Sequence, residues 1–132
     1  MAGLTSPTIP VSWGELLDKL TILEIKRERI AAADARANVG REHDLLRAAG
    51  EPALRDPAIA DLYDQLRQVN GELWDIEDAI RAEEEKATFG AAFVALARSV
   101  YRKNDERAAI KRRINDALGS ELVEEKSYWT AA

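Results

Sequence analysis

The sequence predicts an all-α protein of three long antiparallel helices. Apolar residues recur every three or four positions in three long segments, as on one face of a helix. The composition combines 46% hydrophobic with 33% charged and only 6% aromatic residues, which is typical of long helices rather than sheets. The 132 residues suffice for one domain with a core. Slender helices of this length leave apolar surface uncovered, so we expect a coiled-coil-like bundle that forms a homodimer.

The chain opens with a predicted extended arm at residues 1–11, where two prolines stand among small polar residues. Ser12 is a good N-cap, and Glu15 occupies the matching capping-box position. The first helix is predicted over about 12–49. Its weak point is Gly40, since glycine costs about 1 kcal/mol inside a helix, and we expect a bend or break there.

The other two helices have clear boundary signals. Asp56 followed by Pro57 is an acidic cap with proline at the first helical position, which starts a helix over about 57–86. Its apolar stripe holds heptad-like spacing. The third helix is predicted over about 89–118, and Gly119 is the expected C-terminal stop. The single helical domain therefore covers 12–126 and is followed by a tail at 127–132 that contains Tyr128 and Trp129.

Several function classes are disfavoured by composition. The formal net charge of -5 does not favour nucleic-acid binding. The absence of cysteine excludes disulfides and thiolate zinc sites. The first residues lack a secretory signal, and no run approaches the ~20 apolar residues that span a bilayer, so a cytoplasmic protein with no membrane contact is expected. No phosphate loop, serine elbow or dinucleotide fingerprint is present, which predicts no cofactor.

The first helix is apolar on two sides, which indicates that it is sandwiched between neighbours. Leucines repeat along one face, and Ile22 and Ile25 lie on a second face. Trp13 stands at the start of the same helix. We therefore predict that Trp13, Ile22 and Ile25 contact a protein partner.

Charged residues interrupt the predicted core faces. Glu24 and Arg27 fall among the leucines of the first helix. In the third helix the apolar stripe is replaced by Asn104, Arg107 and Lys111, which share one face. An antiparallel register brings these side chains close to a glutamate of the second helix. The predicted ligand-binding residues are Glu24, Arg27, Glu77, Asn104, Arg107 and Lys111.

Two interpretations of this cluster stay open. Ion pairs between helices can fix their register, which is a structural role. Alternatively, the cluster lines a pocket for an anionic or dipolar ligand, because arginine binds carboxylate or phosphate with two hydrogen bonds. Glu24 or Glu77 would then act as acid or base. No metal is expected, since the chain has one histidine, His43, and no Glu-x-x-His pair.

Four segments carry a resemblance to a known group of proteins. They are SWGELLDKLTILEIKRERI at 12–30, ELWDIEDAIR at 72–81, FVALARSVYRKNDERAAIKRRIN at 93–115 and SELVEEKSY at 120–128. Together they resemble an uncharacterised family of small all-helical bacterial proteins with the signature SWGELxDKxTILEIK. The family has no assigned reaction. Some relatives occur beside or fused to tetratricopeptide or sugar-transfer proteins, which implies an accessory role.

The resemblance places a set of residues in the family's motif blocks without giving them roles. They are Trp13, Asp18, Lys19, Glu24, Lys26, Glu77, Arg98, Tyr101, Asn104, Asp105, Arg107 and Lys111. The chain is also similar, more distantly, to the all-helical chorismate mutases, which place arginine, lysine and glutamate around a dicarboxylate. That family needs an arginine near the start of its first helix, where this chain offers only Lys19.

The leading prediction is a non-enzymatic interaction or scaffold module. Its sign would be a large apolar surface, with the charged cluster paired internally. The alternative prediction is a small anionic-ligand binder or enzyme. Its sign would be a solvent-reachable pocket at those charges, with at least one cation that has no protein partner.

Overall fold

A computed structural model describes residues 3–127. In that range the chain is entirely helical, which confirms the all-α class, but it has four helices and the three-helix prediction is wrong. No helix of this described part is long and apolar enough to cross a membrane. Residues 3–11 have no regular structure, and all of the predicted tail after Ser127 lies outside the described residues. The helices are α1 (Trp13–Arg29), α2 (Ala33–Leu54), α3 (Pro57–Glu85) and α4 (Ala91–Leu118).

The predicted first helix is divided at residues 30–32 and not at Gly40. Ile30 and Ala32 both have extended backbone, with ψ of 125° and 123°. Alanine is the strongest helix former, so the local sequence gives no signal for this break. It allows α2 to fold back antiparallel on α1, and this packing outweighs the local preference. Gly40 instead lies at a half-buried position inside a continuous α2.

Gly50 is a packing position rather than the predicted helix end. A Cβ atom there would lie 2.7 Å from Leu20 Cδ1 and 3.5 Å from Leu17 Cδ2. Both leucines are fully buried, so neither can move aside cheaply. The missing side chain lets α2 approach α1 closely. The helix then continues through Pro52 and ends at Leu54.

Two glycine substitutions in α2 are expected to have opposite effects. Gly50→Ala should lower the free energy of unfolding by about 1–3 kcal/mol, because its methyl group overpacks the α1–α2 contact. Gly40→Ala should raise it by up to about 1 kcal/mol, because no neighbouring atom among residues 3–127 lies within 4 Å of the new Cβ. Urea denaturation of both variants checks this. Equal effects would contradict the packing role of Gly50.

The core lies where the four helices meet. Its fully buried side chains include Leu17 and Leu20 of α1, Ile59 and Leu66 of α3, and Ile114 of α4. The helix α1 runs antiparallel to α2, because Leu20 contacts Gly50 while the later Arg27 contacts the earlier His43. It also runs antiparallel to α4, because Gly14 bonds to Asn115 while Asp18 pairs with Arg107. It therefore runs in the same direction as α3.

The helices α3 and α4 extend beyond the core as an antiparallel pair. Within the described chain, α3 buries no residue after Leu73, and α4 buries none before Ile110. At 1.5 Å per residue, the 29-residue α3 is roughly 43 Å long and the 17-residue α1 roughly 26 Å. We call residues 76–103 the distal hairpin. Its apolar stripe is only half-buried, because each helix there has a single neighbour.

Candidate functional site

The Asp18 carboxylate is the centre of a buried polar cluster. It is 1% exposed, on the side of α1 that faces α3 and α4. Its Oδ1 accepts a hydrogen bond from Asn70 Nδ2 at 2.8 Å, and its Oδ2 accepts one from Arg107 Nη2 at 2.9 Å. Asn70 Nδ2 also lies 2.8 Å from Thr21 Oγ1, which donates to the Asp18 carbonyl oxygen at 2.7 Å. Three helices thus supply one connected hydrogen-bond network.

Lys111 extends this network towards the C-terminal segment. The side chain is buried, and its Nζ lies 2.8 Å from both Glu15 Oε2 and Glu124 Oε2. The second Asp18 oxygen is 3.8 Å away. Burial lowers the pKa of Lys111, but the carboxylates of Glu124, Glu15 and Asp18 outweigh it, so the pKa lies above the usual value. The Glu15 carboxylate therefore accepts a hydrogen bond from Lys111. Its capping-box position had suggested a bond to the backbone N–H of Ser12 instead.

The start of α1 is fixed to the end of α4 by its backbone. The Gly14 N–H donates to Asn115 Oδ1 at 2.7 Å, and both residues are buried. A Cβ at Gly14 would lie 2.6 Å from the Lys111 carbonyl oxygen and 3.0 Å from Asn115 Oδ1. Only glycine permits this approach. Ser12 caps the helix beside it by accepting from Glu15 N at 3.1 Å.

Glu124 holds the C-terminal segment on α4 by charge, and this contact should respond to acid. The ammonium groups of Lys111 and Lys126, at 2.8 and 3.1 Å, lower the pKa of Glu124 to about 2. A depressed carboxyl pKa stabilises the docked segment above the ordinary pKa of 4.5, and this contribution disappears as the pH falls through about 2. We expect an NMR titration of the Glu124 carboxyl to have its midpoint near pH 2.

Two variants control this titration. Lys111→Met should raise the Glu124 midpoint most, because Lys111 is the largest cause of the shift, and Lys126→Met should raise it less. An ordinary midpoint in the unmodified protein would contradict the docking of the segment through this ion pair.

Glu24 and Arg27 lie on the other side of α1, away from this cluster. Glu24 accepts from Arg67 Nε at 3.1 Å, and Arg27 Nη1 lies 3.4 Å from His43 Nδ1. His43 Nε2 is 3.9 Å from Glu24 and has no hydrogen-bond partner among the described residues, and neither has the Tyr63 hydroxyl. Burial, together with the Glu24 carboxylate, raises the pKa of Tyr63.

A groove of about 400 Å³ lies between α1, α3 and α4. Ile22, Ile25 and Trp74 form its apolar walls, and Glu77 and Arg81 stand at its rim. Both rim residues are exposed, and no ion pair joins either of them to another described residue. The groove can therefore take a ligand that combines an apolar part with charge.

Arg107 connects the groove to the buried cluster. Its guanidinium donates to Asp18 on one side and to Asn104 Oδ1, at 3.4 Å, on the other. Both Asn104 and Arg107 also line the groove. A ligand in the groove would thus meet an arginine that is already held in place by a buried carboxylate.

The structure divides the six predicted ligand residues among three places. Arg107 and Lys111 contact Asp18, and Arg107 also lines the groove with Glu77 and Asn104. Glu24 pairs with Arg67 of α3, and Arg27 lies towards α2. The division has a simple cause. The extra break at 30–32 makes α1 parallel to α3, so the antiparallel register assumed from the sequence does not apply.

The family resemblance named Asp18 without a role, and the spacing of the charged residues did not identify it as the centre of the cluster. A signal was present, because Gly14, Asp18 and Thr21 recur at i, i+4 and i+7 and form a face of small and polar residues. That face meets α3 and α4. The predicted partner residues do not share an exposed face either. Trp13 packs against the core, Ile25 is 3% exposed, and Ile22 is a half-buried wall of the groove.

No curated protein and no solved structure shows significant similarity to this chain. A protein-family model does match, over residues 8–132, and its description is a family of unknown function, DUF6165. The match includes all four helices and the segment that carries Glu124. The chain therefore belongs to the DUF6165 family, whose function is unknown.

Proposed function

We propose that this protein is a non-enzymatic interaction module, an accessory protein of the bacterial cytoplasm, and that the distal hairpin is its binding surface. The observation that carries the proposal is the uncovered apolar face of α4. Val94 is 50% and Tyr101 53% exposed, and Ala97 lies exposed between them. Because these residues recur at i, i+3 and i+7, they share one helical face, which we call the α4 face. Exposed apolar patches of this kind mark interaction sites.

The pairing of the buried charges supports a binding role over a catalytic one. Asp18, Arg107 and Lys111 satisfy one another, with Glu15 and Glu124 as further partners of the lysine. A catalytic acid, base or anion clamp needs a group that is free to meet the substrate. In this cluster the charged groups already have protein partners, so the cluster fixes the positions of the helices relative to one another.

The proposal is tested by changing the α4 face without changing the fold. We expect the double variant Val94→Asp/Tyr101→Asp to keep the melting temperature of the unmodified protein. It should no longer co-purify with the cellular proteins that bind to the tagged, unmodified chain. Leu45→Asp is the matched control, since Leu45 is also an exposed apolar residue of a helix but lies on α2. The proposal would be contradicted if the unmodified chain, the double variant and Leu45→Asp all co-purified with the same cellular proteins in equal amounts.

A second candidate function is the binding of a small anionic ligand in the groove. It is favoured by Arg81, an exposed cation at the rim of a groove that Arg107 and Trp74 also line, since Arg81 has no ion pair with another described residue. Guanidinium groups bind carboxylates and phosphates, and the indole supplies an apolar wall. A ligand binder is expected to have a solvent-reachable pocket with a cation that has no protein partner. The groove with Arg81 fits this expectation more closely than the buried cluster does.

A thermal-shift screen tests this second candidate. Phosphorylated sugars, nucleotides and small dicarboxylates are the probes. A ligand at 100 times its dissociation constant adds about 2.7 kcal/mol and raises the melting temperature by several degrees. We expect Arg81→Gln to remove the shift and Arg41→Gln, on the exposed side of α2, to retain it. If no probe shifts the melting temperature, the groove is not a site for these ligands.

A further inference from the structure

We propose that the partner of the α4 face is a second copy of this chain, and that the two distal hairpins pair in parallel, with their tips at the same end. This inference rests on the proposed function and deepens it by naming the partner.

One border of the α4 face is acidic. The stripe of Val94, Ala97 and Tyr101 continues at i+3 to Asn104, which lines the groove. Across the groove, α3 presents a row of exposed charged residues at one helical face. Three of them are acids and one is a base, so the row has a net charge of -2. They are Glu77, Asp78, Arg81 and Glu84.

The other border of the α4 face is basic. Arg98 and Arg102 lie one helical turn apart and follow Ala97 and Tyr101 directly in sequence, so each is turned by about 100° from its neighbour on the stripe. Both are exposed. Asp105 ends this basic border at the next turn towards the core. The α4 face is thus an apolar stripe with negative charge on one side and positive charge on the other.

This pattern is self-complementary under only one kind of two-fold axis. If the axis runs along the stripe, the acidic border of each copy faces the basic border of the other. If the axis crosses the stripe, like charges face each other, which is destabilising. An isologous pair therefore has its hairpins parallel. Residues of the stripe then lie near the axis, and Val94 and Tyr101 each face their own counterpart.

Pairing of this kind also explains the half-buried stripe of the distal hairpin. Two hairpins side by side form a four-helix bundle, in which each helix has two neighbours instead of one. Phe89, which is 53% exposed at the tip and packs edge-on against Phe93, extends the apolar surface to the end of the hairpin. The second copy would cover this end as well.

Single-cysteine variants test the pairing sharply, because the chain contains no cysteine of its own. By light scattering we expect the unmodified protein to have twice the 14.7 kDa mass of the chain. Under mild oxidation Val94→Cys and Tyr101→Cys should each form a disulfide-linked dimer. Ser99→Cys is the control and should not, since Ser99 lies between these two positions along α4 and is turned by about 140° from Val94 and about 160° from Tyr101.

Charge exchange gives a second test that does not depend on cysteine chemistry. Arg98→Glu/Arg102→Glu makes both borders acidic, and Glu77→Lys/Glu84→Lys makes both basic. We expect each variant alone to dimerise at least tenfold more weakly than the unmodified protein. A mixture of the two should form a heterodimer. All of these residues are exposed, so the fold itself is expected to persist.

The outcomes separate this inference from the proposed function. Self-linking at both positions, with heterodimers in the mixture, supports parallel pairing. Efficient linking only between Val94→Cys and Tyr101→Cys chains would show antiparallel hairpins and overturn it. A monomer by light scattering would overturn the second copy as partner. If the protein is a monomer but Val94→Asp/Tyr101→Asp loses a cellular protein that co-purifies with the unmodified chain, the proposed interaction module stands. If the double variant loses no such protein, the interaction module and the second copy as its partner are both disproved.

Discussion

Replacing Gly14 by alanine is expected to lower the free energy of unfolding by about 3 kcal/mol, at the upper end of overpacking effects. The new Cβ would lie 2.6 Å from the Lys111 carbonyl oxygen, which is backbone and cannot rotate away. Relief requires a shift of α1 from α4. That shift would stretch the 2.7 Å bond from Gly14 N to Asn115 and the contact between Asp18 and Arg107. We expect the melting temperature to fall by roughly 10 °C.

Gly40→Ala is the matched control for this variant. It makes the same chemical change inside a helix, at a half-buried position where no neighbouring described atom lies within 4 Å of the new methyl group. It should be neutral or stabilising. If Gly14→Ala were no less stable than Gly40→Ala, the close approach of α1 to α4 would be disproved.

Asp18→Ala is expected to be the most damaging single change, with a loss of about 3–5 kcal/mol. It leaves the Arg107 guanidinium without its carboxylate and removes one of the three negative charges around the buried Lys111. It also leaves Asn70 with one hydrogen-bond acceptor instead of two. The Lys111 ammonium is buried and the Arg107 side chain is only 30% exposed, so both cations keep most of their desolvation cost when the carboxylate is lost, and this explains the large effect.

Chemical denaturation of Asp18→Ala and Asp64→Ala measures this effect, since Asp64 is exposed on α3 and makes no ion pair with another described residue. The control should change stability by less than about 0.5 kcal/mol. The double variant Asp18→Ala/Arg107→Met should recover part of the loss, because it removes the charge left unpaired. A double variant as unstable as the sum of the two single variants would contradict direct pairing.

The sequence predicted the helical segments well, because apolar periodicity and end signals are local. Asp56 accepts a hydrogen bond from Ala58 N, and α3 starts at Pro57, where the cap and the proline indicated. The break at 30–32 could not be predicted, because its cause is a tertiary contact and not a local signal. Ala31 and Ala32 favour a helix, and the chain turns there because α2 packs better when it folds back on α1.

The candidate site was predicted in part. Arg107 and Lys111 were identified because charged residues replaced apolar ones in a regular stripe. Asp18 was named only through the family resemblance and was given no place in the cluster, because a single carboxylate near the start of a helix looks like an ordinary solvent-facing acid. Its burial depends on the direction in which α1 crosses α3 and α4, and that direction follows from a break that the sequence did not indicate.

The position of Asp18 has a consequence for how the chain is made. Its partners Asn70 and Arg107 are 52 and 89 residues further along the sequence. At 5–20 residues per second, the ribosome needs roughly 5 to 20 s to deliver Arg107 after Asp18. During that interval α1 has neither its ion pair nor the α4 surface that covers its face. We therefore expect α1 to be the element that nascent-chain chaperones contact, and release only once α4 has emerged.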